Sequence, residues 1–277
     1  MKLPIYQVDA FSGRLFAGNP AAIVPLINWL PDTTMQRIAL ENNLSETAFF
    51  VKTGNDFHIR WFSPTAEIDL CGHATLATGF VIMKLISPEL DVVRFDSQSG
   101  PLSVERVGER FQLDFPSRPG KAIPSPPQLE AALGLEPQAT LLSRDCLVVV
   151  GSEQEVRALT PDMDRLLEID GDGVLVTAPG SDCDFISRCF FPKLGITEDP
   201  VTGSAHCTLV PYWSDRLGKT ALHSRQASAR GGELWCELVG SRVLIAGECV
   251  LYLTGEIETG GEGRDSRETC GSRPLNG

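Results

Sequence analysis

Thr65-Ala66-Glu67-Ile68-Asp69-Leu70-Cys71-Gly72-His73-Ala74-Thr75 lies between two segments of different periodicity. Before it, Phe57, Ile59 and Trp61 alternate with His58 and Arg60, the period of a half-buried strand. After it, the chain from Ala74 to Ile86 is apolar on nearly every face of a helix, through Leu76, Ala77, Phe80, Val81, Ile82, Met83 and Leu85. A glycine, a histidine and a thiol therefore sit where a strand gives way to a helix. The same design returns about 130 residues later. Arg60-Trp61-Phe62-Ser63-Pro64 leads into Gly72-His73-Ala74, and Arg188-Cys189-Phe190-Phe191-Pro192 leads into Gly203-Ser204-Ala205. Two halves that each carry one such junction imply a pocket between them.

A helix without a solvent side has to be surrounded, for instance by a curved sheet. Predicted strands at 92–95, 102–107 and 111–115 supply part of that wrap. Upstream, a strand over Ile5–Phe11, a turn from Phe16 to Ala22 and a second strand to Leu26 precede a helix that begins at Pro31-Asp32 and ends at Asn42-Asn43. Prolines 116, 119, 124, 126 and 127 with Gly120 mark a linker. Beyond it, helices are expected at 128–135 and 153–159, and strands at 146–150, 174–177, 185–191, 234–238, 243–246 and 250–253. A helix following Gly203 runs to Leu217, with Pro211 expected to kink it. The expected class is α+β. Residues 1–117 and 118–258 form two pseudo-symmetric domains, each a curled sheet around a central helix, with the final strand free to pack on the first domain. The stretch 259–277 has almost no apolar residue and is expected to be disordered.

Of the 277 residues, 42% are hydrophobic, and the formal net charge is −12. The hydrophobic share is that of a globular protein, and the charge provides no basic stripe to neutralise phosphates, which argues against nucleic acid and anionic membranes. A small molecule is the expected partner. No long apolar segment reads as a signal peptide or a membrane span, so a soluble, cytoplasmic protein is expected. The eight cysteines are scattered and read as small buried hydrophobes of a reducing compartment. Cys71/His73 and His206/Cys207 lack the paired spacing of a zinc site, so no metal is expected.

Glycine at a strand-to-helix junction admits a ligand close to the backbone, and the first free N–H groups of the helix favour an anion there. Gly72 and Gly203 facing each other would hold a carboxylate; each alone would be a plain helix cap. Glu46, in Leu44-Ser45-Glu46-Thr47 just before the apolar Ala48–Val51, is either a desolvated proton carrier or an exposed loop acid. His73 is a second proton carrier, a donor to substrate, or the residue that fixes its own helix start. Glu198-Asp199 either places a carboxylate in the pocket or supplies acids at a helix N-terminus. Ser204 mirrors His73.

Four ordered motifs carry a family resemblance: Gly18-Asn19-Pro20-Ala21, Leu44-Ser45-Glu46-Thr47, Asp69-Leu70-Cys71-Gly72-His73-Ala74-Thr75, and Glu198-Asp199-Pro200-Val201-Thr202-Gly203-Ser204-Ala205-His206. From Val8 to the strand near Leu253, the chain resembles the PhzF-like isomerases of phenazine biosynthesis. The resemblance implies a diaminopimelate epimerase-like fold with an inter-domain active site, no cofactor and a homodimer. It implies that Glu46 is the acid/base, with His73 and Asp199 beside it. Ser45, Asn19, Gly72, Gly203 and Ser204 are then the substrate-binding residues. Two-thiol racemases of this fold take one thiol from each half; here the first is Cys71 but the second position is Thr202. A threonine hydroxyl is far too weak an acid to replace a thiolate. The implied function is isomerisation of a small carboxylated metabolite by one glutamate. The alternative is a binding or interaction protein of the same fold that has lost catalysis.

Overall fold

A computed structural model describes residues 1–260. The first half of the chain forms β1 (Lys2–Ala10), β2 (Asn19–Leu26), α1 (Asp32–Asn42), β3 (Glu46–Thr53), β4 (Asp56–Phe62), β5 (Glu67–Ile68), α2 (Gly72–Val81), β6 (Val92–Asp96), β7 (Leu102–Val107) and β8 (Arg110–Pro116). The second half begins with β9 (Lys121–Ile123), α3 (Pro127–Leu133), β10 (Ala139–Leu142), β11 (Cys146–Val149), α4 (Glu153–Ala158), α5 (Met163–Leu166), β12 (Val174–Pro179), β13 (Phe185–Phe191) and β14 (Ile196–Asp199). It is completed by α6 (His206–Leu217), β15 (Ala221–Gln226), β16 (Gly232–Val239), β17 (Arg242–Gly247) and β18 (Cys249–Glu258).

The two halves repeat one pairing scheme. β2 lies parallel to β3, β3 antiparallel to β4, β4 parallel to β6, and β6, β7 and β8 follow antiparallel. In the same order β11 is parallel to β12, β12 antiparallel to β13, β13 parallel to β15, and β15, β16 and β17 follow antiparallel. β8 pairs with β17, so one sheet runs through both halves, and β18 returns to pair with β1. Each half also repeats a side-chain device. Arg60 on β4 grips Glu67 on β5 with two nitrogens at 2.7 and 2.6 Å, and Arg188 on β13 grips Glu198 on β14 at 2.7 and 2.9 Å. Each guanidinium also lies over the phenylalanine two residues on, Phe62 at 5.2 Å and Phe190 at 5.1 Å. Two-point arginine–carboxylate pairing fixes geometry as well as charge, so each short hairpin ahead of a central helix is held in one register.

All ten residues of α2 are buried, as its all-round apolar surface requires. Beside His73, its polar residues Thr75 and Thr78 donate their hydroxyls back to the carbonyls of Cys71 and Ala74. The predicted helix to Ile86 is not uniform. From Ile82 to Ile86 it widens into a π-helical turn, where the Arg106 guanidinium takes the Met83 carbonyl. Around α6, Pro211 removes the donor for the carbonyl of Cys207, and that carbonyl instead accepts from the backbone N–H of Arg118 at 2.8 Å. The helix runs through the proline to Leu217, as expected. It begins at His206; Gly203–Ala205 form a tighter turn ahead of it, with His206 N–H on the Gly203 carbonyl at 3.1 Å.

Thr259, where disorder was expected to begin, is buried and exchanges backbone bonds of 2.8 Å with Met1 in both directions. The rest of that expected tail, from 261 on, lies outside the described residues. The described cysteines are all free and mostly buried. No described helix is long and apolar enough to cross a membrane.

Gly79 of α2 is where the wrapping strand comes closest. A Cβ there would lie 2.6 and 2.7 Å from the Cγ1 and Cβ of Val104 on β7. Glycine to alanine inside a helix ordinarily stabilises by about 1 kcal/mol; here overpacking of about 1–3 kcal/mol reverses the sign. Gly79→Ala should lower the urea midpoint, and adding Val104→Ala should recover part of the loss. A Gly79→Ala protein more stable than wild type would contradict the close packing of α2 against β7.

Candidate active site

The α2 start and the turn before α6 meet back to back. A Cβ placed on Gly72 would be 3.6 Å from the Gly203 Cα, and one on Gly203 would be 3.8 Å from the Gly72 Cα. The first-turn N–H groups of both segments have no acceptor inside their own helices. Gly72, His73, Gly203 and Ser204 line one cavity of about 620 Å3, together with Glu46, Asp199, Cys71 and Thr202.

Glu46 is the first residue of β3, paired in parallel with Ala21 of β2. It is 7% exposed, and its Oε2 lies 3.0 Å from Nε2 of His73, itself 5% exposed. The two atoms form a close ion pair. The other ring nitrogen, Nδ1, is 3.5 Å from Sγ of Cys71. Burial opposes charge on the imidazole, but the sulfur on one side and the Glu46 carboxylate on the other raise its pKa well above the usual value. The Glu46 carboxylate, 3.0 Å away, is the charge that favours a protonated ring.

Asp199 ends β14 and is 9% exposed. Asn19 donates its side-chain N–H to one carboxyl oxygen at 2.8 Å and Thr202 its hydroxyl to the other at 2.6 Å. Burial raises the carboxyl to about 6; His73 pulls it down, Glu46 pushes it up, and the Thr202 and Asn19 donors pull it down again. Burial, helped by Glu46, likewise pushes the Cys71 thiol up to about 11, against the pull of His73. At neutral pH that thiol keeps its proton. Thr202 has its hydroxyl proton committed to Asp199.

Of the residues singled out in the sequence, Glu46, His73, Asp199, Gly72, Gly203 and Ser204 converge on the cavity. Asn19 stands behind Asp199, fully buried, and also donates to the Val201 carbonyl at 2.9 Å. Ser45 is half-buried beside Glu46 and is not part of the cavity wall. Glu198 is held by Arg188, which leaves Asp199 as the carboxylate delivered to the site. Gln226 was not singled out. It accepts the Thr202 N–H at 2.8 Å, donates to the Asp199 carbonyl at 2.8 Å and reaches the Thr202 hydroxyl at 3.1 Å. Donor atoms of Glu46, Cys71 and His73 lie within 4.8 Å of one another, the described group nearest to a metal-ligand set. Its sulfur and its carboxylate face different nitrogens of one ring, so the imidazole stands between them as the shared partner.

A curled sheet carrying two helix starts onto one cavity lined by buried carboxylates places the protein in the epimerase-like fold class. The PhzC-PhzF family model, described as phenazine biosynthesis-like protein, matches residues 8–255. A Pseudomonas aeruginosa protein named an uncharacterized isomerase is 52% identical over 258 residues, spanning 93% of this chain and 99% of that one. The crystal structure of a PhzF-family phenazine biosynthesis protein from Enterococcus faecalis matches with a TM-score of 0.92 at 51% identity, over 94% of this chain and all of that one. A predicted epimerase of Pseudomonas aeruginosa, at 19% identity and a TM-score of 0.76 over 93% of this chain and all of that one, shares the fold. The chain belongs to the phenazine biosynthesis-like family and, with these relatives, to the isomerases.

His206 anchors the second helix start. Nδ1 donates to the Thr202 carbonyl at 2.9 Å, so Nε2, 2.9 Å from the Ser224 hydroxyl, is left as the acceptor of a neutral ring. Burial lowers its pKa to about 4, against the pull of the Thr202 carbonyl. The unfolded histidine takes up a proton near pH 6.5 and the folded one only near 4, so acid favours the unfolded chain across that window, by about 3 kcal/mol in all. His206→Gln should cost stability at pH 7, and the gap from wild type should shrink by roughly 2–3 kcal/mol at pH 4.5 in urea titrations. A gap that does not change with pH would show that His206 is not held neutral.

Proposed function

We propose that this isomerase moves one proton between two carbons of a small carboxylated metabolite, with Glu46 as both acid and base and no cofactor. The Glu46 carboxylate takes a proton from one carbon, the electron pair left behind shifts the double bond, and the Glu46 carboxyl returns the proton to a second carbon. Nothing is gained or lost overall. The first-turn N–H groups at Gly72–His73 and Gly203–Ser204 hold the substrate carboxylate. Protonated His73, 3.0 Å from Glu46, steadies the negative charge that spreads through the substrate while the proton is on the glutamate. These groups supply acid, base and anion grip from the chain itself, which is the ground for reading the reaction as cofactor-independent.

One observation carries this reading: the buried Glu46 carboxylate, paired with His73 at 3.0 Å, lines a cavity walled by two facing helix starts. Two-base racemisation is disfavoured by the same geometry, because the Cys71 thiol is raised to about 11 and the Thr202 proton is held by Asp199.

Carboxylated metabolites that raise the melting temperature of the wild-type protein should, in deuterated water, take up deuterium at carbon. Glu46→Gln should bind the same acids and lose exchange by about 10²-fold to 10⁴-fold or more. Full exchange in the glutamine variant would falsify the assignment, and binding without exchange in wild type would favour a protein that only binds. Cys71→Ser should exchange at close to the wild-type rate; a folded but inactive serine variant would return the proton transfer to the thiol.

A further inference from the structure

Gln226 is the last residue of β15, 1% exposed, and no part of the wall of this cavity. Its amide has one workable orientation. The Thr202 N–H can only donate and the Asp199 carbonyl can only accept, so the Gln226 oxygen faces the first at 2.8 Å and its nitrogen the second at 2.8 Å. The nitrogen has another hydrogen, and the Thr202 hydroxyl oxygen lies 3.1 Å away to receive it.

That contact has a direction. Thr202 has one hydroxyl proton, and with the Gln226 N–H on its oxygen the proton is turned to Oδ2 of Asp199 at 2.6 Å. Asn19 is fixed by the same logic: its nitrogen donates to the Val201 carbonyl at 2.9 Å, an obligate acceptor, and to Oδ1 of Asp199 at 2.8 Å. Both carboxyl oxygens of Asp199 therefore accept, which favours the charged form. A proton on Oδ2 would oppose the Thr202 proton, and the Gln226 donor blocks that proton from turning back. The other groups facing this carboxyl come from three elements. From the first half, His73 draws its pKa down and Glu46 pushes it up. Cys189, opposite Asp199 in the β13–β14 pairing, is a thiol that burial holds protonated well above the usual range. Glu198, on the same strand as Asp199, is paired with Arg188.

We propose that Gln226 is a positioning residue of the site: its N–H turns the Thr202 hydroxyl onto Asp199 and so keeps Asp199 an anion in the cavity wall at neutral pH. A fixed negative charge there favours the protonated His73 that the reaction uses. That effect on turnover rests on the Glu46 proton transfer proposed above; the charge of Asp199 does not.

The test follows the Asp199 carboxyl by carbon-13 NMR in the whole protein labelled at aspartate, its signal identified by its loss in Asp199→Asn. Gln226→Met, similar in length and without an N–H to donate, should raise the pH at which that carboxyl titrates by about one pH unit, a tenfold gain in proton affinity. Thr202→Val should raise it at least as far, and Thr202→Ser, which keeps the hydroxyl, should leave it near wild type. Gln226→Met added to Thr202→Val should change nothing more, because Gln226 acts through the hydroxyl that valine lacks. A glutamine that only supports the turn would leave the midpoint unchanged in Gln226→Met, or add its effect to that of Thr202→Val; either result overturns the proposal. Should Gln226→Met fail to fold, an unchanged midpoint in Thr202→Val overturns it instead. In the exchange reaction, the acid limb of the pH profile should move up with the carboxyl. A limb that stays in place while the carboxyl moves overturns the role of Gln226 in turnover. Absence of exchange in the wild type at every pH overturns the reaction itself, and the Asp199 titration still decides the charge.

Discussion

The approach of Gly72 to Gly203 is the constraint on which the rest of the structure depends. With Cα atoms so near that an added Cβ would come within 3.6 Å of the opposite backbone, both helix starts open onto the same small volume. Any side chain at either position would have to turn toward Phe115 or Phe11, which already occupy the flanks. The burial of α2, the wrapping of each half of the sheet and the join between β8 and β17 can all be seen as holding these two backbone turns together. An anion is favoured where they meet because peptide dipoles from two directions converge there. The buried acids nearby are tolerable for the same reason, together with His73 beside Glu46.

Much of this was legible in the chain. The apolar run after Gly72 has no polar face and can only be a surrounded helix, and the recurrence of Arg60–Pro64 in Arg188–Pro192 exposed the repeat that the strand pairings then reproduce. Glu46, His73 and Asp199 were recognisable from motif and resemblance. What periodicity missed has a physical cause. β15 went unassigned because two of its three inward residues, Ser224 and Gln226, are polar, and a strand whose buried face serves a hydrogen-bond network does not alternate in hydropathy. Gln226 was overlooked with it. At Pro211 the helix continues as read from the sequence, and Arg118 supplies a donor to the carbonyl that the proline strands.

The network behind the site divides labour between the halves. Asn19 comes from the first half, Thr202 and Gln226 from the second, and all three act on Asp199 or on the turn that carries it. Two of those bonds donate to the carboxylate itself, so a group that burial alone would neutralise retains enough support to ionise near neutral pH. Glu46 has no comparable set of donors. The two carboxylates are about equally buried but differently supported: Asp199 accepts from two side chains, whereas Glu46 faces His73.

The pairing of β1 with β18 has a consequence for how the molecule is made. The two strands register from Lys2 opposite Glu258 to Ala10 opposite Cys249, so β1 leaves the ribosome roughly 240 residues before its outer partner. During that interval the inner edge of β1 can engage β2, but the outer edge remains an unpaired row of donors and acceptors, a template for any other extended chain. Closing it late, through contacts of the longest sequence separation in the fold, makes completion of the first half wait on synthesis of the second. The site between the halves is therefore among the last features to be assembled, and a chain that stalls short of β18 would carry an open strand edge where the finished protein has a seam.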